Sequence, residues 1–147
     1  MTVRVSGPGR GARLPRFDRP LLARRARAAL RAVGHARSEL SLTLVDDGAM
    51  AALNEAHRGK TGPTDVLSFS LLEGAHAEHR GALLGDIVID LEQAARQARR
   101  ARRPLDAELA KLLVHGVLHL LGHDHERDDE ARRMQSEERR VLRALDA

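Results

Sequence analysis

Four of the eight histidines of this chain fall within one short stretch, residues 115–125, HGVLHLLGHDH. His115 and His119 are four residues apart, so a helix would place them on the same edge, one turn apart. Gly122 then ends the helical pattern, and His125 follows three residues later, where the chain can fold back toward that edge. Three converging imidazole nitrogens suit a tetrahedral zinc ion and leave its fourth position for water, as in catalytic zinc sites. The spacing therefore predicts one Zn²⁺ per chain, bound by His115, His119 and His125.

The apolar residues around these histidines leave a second interpretation open. Residues 109–121 are apolar around most of a helical circumference, which is typical of a buried helix. A histidine in such a helix is commonly a core residue with a hydrogen-bond partner, and without one it costs about 1–3 kcal/mol. Two neighbouring histidines and a third after a glycine are harder to satisfy in this way, so the metal site is the favoured interpretation. His123 is expected to lie at the surface or to support a ligand.

The same spacing occurs in H-E-x-x-H-x-x-G-x-x-H, the zinc-binding motif of the metzincin proteases. Gly122 stands at the glycine of that motif, but Gly116 stands where the protease carries its general-base glutamate. Without a carboxylate there, the protease mechanism loses the acceptor for the proton of its water. The sequence therefore argues against peptide hydrolysis.

Apolar periodicity predicts the elements that would hold these residues. Strands are predicted at VRVS near the start, ELSLTLV (39–45), VLSFS (66–70) and LLGDIVID (83–90). Helices are predicted over residues 19 to about 34, from Asp46 or Asp47 to about His57, over a basic segment that ends near Pro104, from Asp106 to Leu121, and over 127–145. Residues 58–65 are expected to form a loop, and 72–82 a polar surface connection between two strands.

This order of elements indicates a single α+β domain over residues 1–147. One small mixed sheet is expected to pack against several helices, among them the buried metal-ligand helix. Residues 1–18 are expected to be partly a flexible, arginine-rich segment.

The charge of the chain suits a nucleic-acid partner. The formal net charge is +4, and Lys60 and Lys111 are the only lysines, so arginine supplies nearly all of the basic groups. Arginine binds phosphate through two parallel hydrogen bonds, although a general bias toward arginine codons would give the same composition. The only aromatic residues are Phe17 and Phe69, so stacking of bases on aromatic rings is not expected to carry RNA recognition.

Cysteine and long apolar segments are both absent from the sequence. We therefore expect no disulfide partner and no membrane partner, and the composition fits the reducing cytoplasm.

Three blocks of the sequence resemble the YbeY family of bacterial rRNA-maturation endoribonucleases. HGVLHLLGHDH matches the family signature H-G-x-L-H-L-x-G-x-D-H at every fixed position, and NEAHRGKTGPTDVLSF (54–69) and LGDIVI (84–89) resemble two further blocks in the order of the family. The resemblance implies a small α+β fold with zinc held by His115, His119 and His125. It also implies a single-strand-specific endoribonuclease that matures the 3′ end of small-subunit rRNA and acts in ribosome quality control.

The implied partners are single-stranded rRNA, the small ribosomal subunit and its assembly proteins. The resemblance places Arg58 and His115 in the catalytic machinery. A guanidinium at position 58 would stabilise the charge that develops on the phosphate oxygens. Asp65 and Asp86 lie beside apolar strands, where each is either a carboxylate that orients a ligand histidine or a turn or cap residue.

The residues leave part of the chemistry open. No general base is evident, so attack by zinc-bound hydroxide and attack by the 2′-hydroxyl of the substrate both remain, and the product ends are undetermined. Two other functions also stay open: a ribosome-assembly factor with a structural zinc, and a zinc hydrolase acting on a substrate other than RNA.

Overall fold

The computed structural model describes residues 3–9, 13–58, 64–70, 83–123 and 127–146, and of His57 and Arg58 it describes the backbone only. The described elements, in chain order, are β1 (Val3–Ser6), α1 (Arg19–Ala32), β2 (Glu39–Val45), α2 (Asp47–Arg58), β3 (Val66–Ser70), β4 (Leu83–Asp90), α3 (Leu91–Ala101), α4 (Leu105–Leu120) and α5 (Asp128–Ala144). The predicted surface connection over 72–82 lies outside the described residues.

The four described strands form one mixed sheet in the order β1-β2-β4-β3. Strand β1 runs parallel to β2, and β2 runs parallel to β4. Strand β3 is an edge strand antiparallel to β4, with Leu67 opposite Val88. The prediction of a single α+β domain with one small mixed sheet is confirmed.

The two faces of the sheet carry cores of different size. Ile87 and Ile89 of β4 join the main core, which also contains buried residues of α1, α3, α4 and α5. Val88, between them, faces the other way and packs with Met50 of α2 and Leu67 of β3. Strand β4 is therefore covered on both faces, which explains the three consecutive apolar residues Ile87, Val88 and Ile89.

Local signals fix the ends of the helices. Asp18 caps α1 by accepting a hydrogen bond from the Leu21 amide at 3.0 Å, and Asp46 caps α2 by accepting one from the Ala49 amide at 2.8 Å. Gly122 has φ +91° and ends α4. The amides of Gly122 and His123 donate to the carbonyls of His119 and Leu118, which is the Schellman arrangement at a helix C-terminus. The predicted glycine stop after Leu121 is confirmed.

Candidate metal centre

Helix α4 lies close to the sheet because glycines occupy the contact points. A Cβ atom built on Gly116 would lie 2.9 Å from Cγ2 of Ile87, and one built on Gly85 would lie 2.8 Å from Cδ2 of Leu120. Carbon atoms normally approach to about 3.5–4.0 Å. The packing at Gly116 therefore has no room for the glutamate that the protease motif carries at this position.

Two serines of β3 attach the same helix to the edge of the sheet. The hydroxyl of Ser68 donates to the carbonyl oxygen of Gly116 at 3.0 Å, and that of Ser70 donates to the carbonyl oxygen of Leu120 at 3.0 Å. These bonds satisfy carbonyls near the C-terminal end of α4, where some have no partner within the helix. The half of α4 that carries the histidines is thus held by both glycine contacts and side-chain hydrogen bonds.

His115 and His119 face each other on this half of the helix. Their Nε2 atoms are 3.0 Å apart, and their rings meet edge to face with centroids 4.5 Å apart. Two nitrogens bound to one tetrahedral zinc ion at about 2.0–2.1 Å lie about 3.3–3.4 Å from each other. The pair therefore fits a shared metal ion after a shift of a few tenths of an ångström.

The surroundings of the pair favour a cation. His119 lies in the last turn of α4, where the helix dipole contributes partial negative charge. The Glu138 carboxylate of α5 lies on the other side of His115, with its Oε1 atom 2.7 Å from Nδ1. Both contributions would stabilise positive charge between the two Nε2 atoms.

Sequence reasoning did not identify Glu138. Helix α5 buries Met134 and Val141 against the core, and Leu145 directly after the helix is also buried. Glu138 lies on the same edge, because 134, 138, 141 and 145 follow the spacing of one helical face. The Glu138 side chain is only 20% exposed. A carboxylate within an apolar stripe needs a buried partner, and this signal in the sequence could have pointed to Glu138.

The remaining predicted residues fall into different places. Asp86 precedes Ile87 in β4, so its side chain lies on the face of the sheet away from α4. The carbonyl oxygen of Asp65 accepts a hydrogen bond from the Asp90 amide at 2.9 Å, which ties the start of β3 to the end of β4. His123 is half-buried just after the end of α4.

Arg58 is the last residue of α2 rather than part of the following loop. The loop placement was wrong by one residue because arginine is a good helix former and no helix-stopping residue precedes Gly59. Its side chain lies outside what the structure describes.

Within the described ranges, no group of three or more histidine, cysteine, aspartate or glutamate residues could hold a metal ion. The structure brings His115 and His119 together, whereas His125 and Asp124 lie outside the described residues. In the described part of the chain, the helices are also too short or too polar to span a membrane.

The chain matches known proteins over most of its length. The family model described as endoribonuclease YbeY matches residues 19–146. A protein named endoribonuclease YbeY from Anaeromyxobacter sp. (strain Fw109-5) is 50% identical over 145 residues, which cover 98% of this chain and 72% of the relative. Another of that name, from Pelotomaculum thermopropionicum, is 46% identical over 129 residues, which cover 85% of this chain and 84% of the relative.

Two further comparisons concern the length of the relatives and the fold. The Anaeromyxobacter dehalogenans relative is 50% identical over 120 residues, and the chain spans only 61% of its length. The solution structure of TM1509 from Thermotoga maritima shares the fold with a TM-score of 0.62 at 24% identity, over 97% of this chain and 88% of that one. The resemblance that the histidine signature indicated is confirmed by the family match over residues 19–146, and the chain belongs to the endoribonuclease YbeY family.

Proposed function

We propose that this protein is a zinc-dependent endoribonuclease that cuts single-stranded rRNA and matures the 3′ end of small-subunit rRNA in the cytoplasm. One Zn²⁺ per chain would be held by His115, His119 and His125, and the partners would be the small ribosomal subunit and its assembly proteins. The relatives named endoribonuclease YbeY support the reaction class.

The separation of two histidine nitrogens supports the proposed zinc site. The Nε2 atoms of His115 and His119 are 3.0 Å apart on a helix held against the sheet. Two imidazoles fixed at this separation lose little conformational freedom when they bind one ion. His125 follows the glycine turn by three residues, which is short enough for a third ligand to reach the same ion.

When bound, zinc supplies Lewis-acid chemistry, because it polarises a phosphoryl oxygen and lowers the pKa of water. The residues of the chain would hold the metal ligands in place and bind the substrate phosphate. Glu138 and the turn of α4 hold the histidine pair, and Arg58 at the end of α2 would bind the scissile phosphate. A guanidinium there would stabilise the charge that grows on the phosphate oxygens as the bond breaks.

RNA would be bound through its backbone rather than by base stacking. The ring of Phe17 lies under the Arg19 guanidinium, 5.2 Å from its central carbon, and Phe69 packs beside the small core that contains Met50. Since the sequence has no other aromatic residue, the arginines are the groups available for phosphate. Affinity should therefore fall steeply with salt.

The test is cleavage of a labelled single-stranded RNA that carries the 3′ end of small-subunit rRNA. We expect the zinc-loaded protein to cut it, chelator to abolish the cut, and added zinc to restore it. A His115→Ala, His119→Ala double variant should be inactive. His35→Ala is the matched control, because His35 contacts Ser38 at 3.3 Å, far along the chain from α4.

Other results would point to the alternative functions. Tightly bound zinc with intact RNA, on a protein that still binds the small subunit, would favour an assembly factor with a structural zinc. Chelator-sensitive hydrolysis of casein with intact RNA would favour a zinc hydrolase of another kind. Either result would overturn the endoribonuclease proposal.

A further inference from the structure

The Glu138 carboxylate of α5 forms a hydrogen bond with one member of the histidine pair. Its Oε1 atom lies 2.7 Å from Nδ1 of His115. His115 is 32% exposed and Glu138 20% exposed, so water competes only partly for this hydrogen bond. The bond joins α4 to α5 at the position of a candidate ligand.

The geometry dictates where the ring proton of His115 lies. A carboxylate is an acceptor, so Nδ1 of His115 donates to Glu138 and its Nε2 atom presents a lone pair. In the metal-free protein, Nε2 of His119 can donate across the 3.0 Å gap to that lone pair. Bonded in this way, His115 is in the tautomer that binds a metal through Nε2, and His119 would bind through Nε2 when its proton lies on the other ring nitrogen.

The carboxylate itself is held by packing. Met134 and Val141, one turn on each side of Glu138, are 2% and 0% exposed. The neighbouring Glu137 has a different role, because it accepts from Arg140 on the same helix at 2.5 Å and 3.1 Å. Two adjacent glutamates on α5 therefore differ in partner, one bound to a histidine of the centre and one to a surface arginine.

We propose that Glu138 is a positioning residue for the metal centre: it fixes the tautomer and the ring orientation of His115 and so raises the affinity of the centre for zinc. This inference rests on the proposed zinc site, but not on the identity of the RNA substrate. A residue that only attached α5 to α4 would change stability without changing the tautomer or the zinc affinity of the folded protein.

The experiment compares Glu138→Gln and Glu138→Ala with Glu137→Gln as the matched control. Zinc affinity is measured by competition with a chromogenic chelator, and nitrogen NMR of the histidine side chains in the zinc-free protein reports which ring atom carries the proton. We expect Glu138→Ala to weaken zinc binding by roughly 10- to 100-fold, the usual effect of losing such a partner, and Glu138→Gln to weaken it by less. Glu137→Gln should match the wild type.

In zinc-free Glu138→Ala, His115 should lose its fixed Nδ1 proton and populate both tautomers, whereas in Glu138→Gln the shift should be partial, because the amide offers Nδ1 either its acceptor oxygen or its donor NH2 group. Glu138→Gln keeps the shape of the side chain, so it tests the proposal even where Glu138→Ala does not fold. Wild-type zinc affinity and an unchanged His115 tautomer in folded Glu138→Gln would overturn the proposal. If the Glu138 variants bind zinc more weakly while the wild-type protein leaves RNA intact, the positioning role of Glu138 would be supported. The proposed nuclease function would then be refuted.

Discussion

Asp90, at the end of β4, is a buried carboxyl group whose ionisation should control stability. Its side chain is 0% exposed, and its Oδ1 atom caps α3 by accepting from the amides of Glu92 and Gln93 at 3.0 Å and 3.2 Å. Among the described residues, no donor reaches its Oδ2 atom. Burial, followed by a hydrogen bond with the Asp47 carboxylate, raises the pKa of Asp90 to about 7.

The partner carboxylate stays ionised. Two hydrogen bonds from the Arg96 guanidinium, at 2.8 Å and 2.9 Å, hold the pKa of Asp47 below its usual value. A protonated Asp90 can then donate from Oδ2 to Asp47, which satisfies the atom that otherwise has no donor. The proton on Asp90 is therefore part of the folded structure below about pH 7.

The sign of the pH effect follows from this shift. Unfolded Asp90 releases its proton near pH 3.8, whereas folded Asp90 keeps it up to about pH 7. Between these values the folded state binds the extra proton, so the free energy of unfolding falls as pH rises. At about 1.36 kcal/mol per pKa unit, the shift from 3.8 to about 7 corresponds to a loss on the order of 4 kcal/mol. The lowered pKa of Asp47 adds stability across this whole window, and the pH dependence that it causes lies below pH 3.8.

The perturbation is Asp90→Asn, measured by urea unfolding in the presence of chelator. The asparagine oxygen can still cap α3, and its amide can still donate to Asp47, but no proton is lost as pH rises. We expect equal stability of variant and wild type near pH 4. Above pH 7 the variant should be more stable, by an amount approaching the roughly 4 kcal/mol of the ionisation cost.

Asp90→Ala is the control, because it removes the cap and the bond to Asp47 together. It should be less stable than Asp90→Asn at every pH, with about 1 kcal/mol from the cap alone. The same pH slope in wild type and Asp90→Asn would refute the reasoning, since it would mean that Asp90 ionises at its ordinary pKa in the folded protein.

Three further outcomes follow from the site. Gly116→Ala should lower the free energy of unfolding by up to about 2 kcal/mol. Overpacking against Ile87 costs about 1–3 kcal/mol, whereas alanine gains about 1 kcal/mol of helix propensity over glycine. A variant that is more stable than the wild type in urea would contradict this. The His115→Ala, His119→Ala double variant should lose its zinc by elemental analysis, and full retention of zinc would remove both from the metal site. Arg58→Ala should keep zinc and fold but lose roughly two to three orders of magnitude in single-turnover cleavage. Arg58→Lys should recover only part of the rate, and wild-type rates in both variants would exclude Arg58 from the site.

Much of the fold could be predicted because its signals are local. Strand β2 was predicted over 39–45 and occupies Glu39–Val45, since its apolar residues alternate on a sheet with one large core. The glycine stop of α4 was likewise evident, because a left-handed residue at this position favours glycine. The proximity of His115 and His119 could likewise be predicted from the helical repeat alone.

Other features depend on contacts that are distant in sequence. Strand β4 lies between β2 and β3, and no local pattern distinguishes this order from its alternatives. Glu138 lies 23 residues from the histidine that it contacts, so the local sequence could mark it as a partly buried carboxylate but could not identify its partner. Of the carboxylates that drew attention in the sequence, Asp65 precedes β3 and Asp86 lies within β4, and the local sequence does not reveal which elements cover each face of the sheet.

The glycine at position 116 connects the packing of the helix to its chemistry. Gly116 and Leu120 form one row of α4, four residues apart, that meets Ile87 and Gly85 of the sheet. His115 and His119 form the adjacent row. This row is rotated by about 100° around the helix axis, because an α-helix has 3.6 residues per turn. The contacts that fix the first row therefore fix the direction of the second, and in this arrangement His115 meets Glu138 of α5. A side chain at position 116 would push α4 away from the sheet and move the histidine pair, so the glycine that stands in place of the protease base also controls where the candidate metal ligands lie.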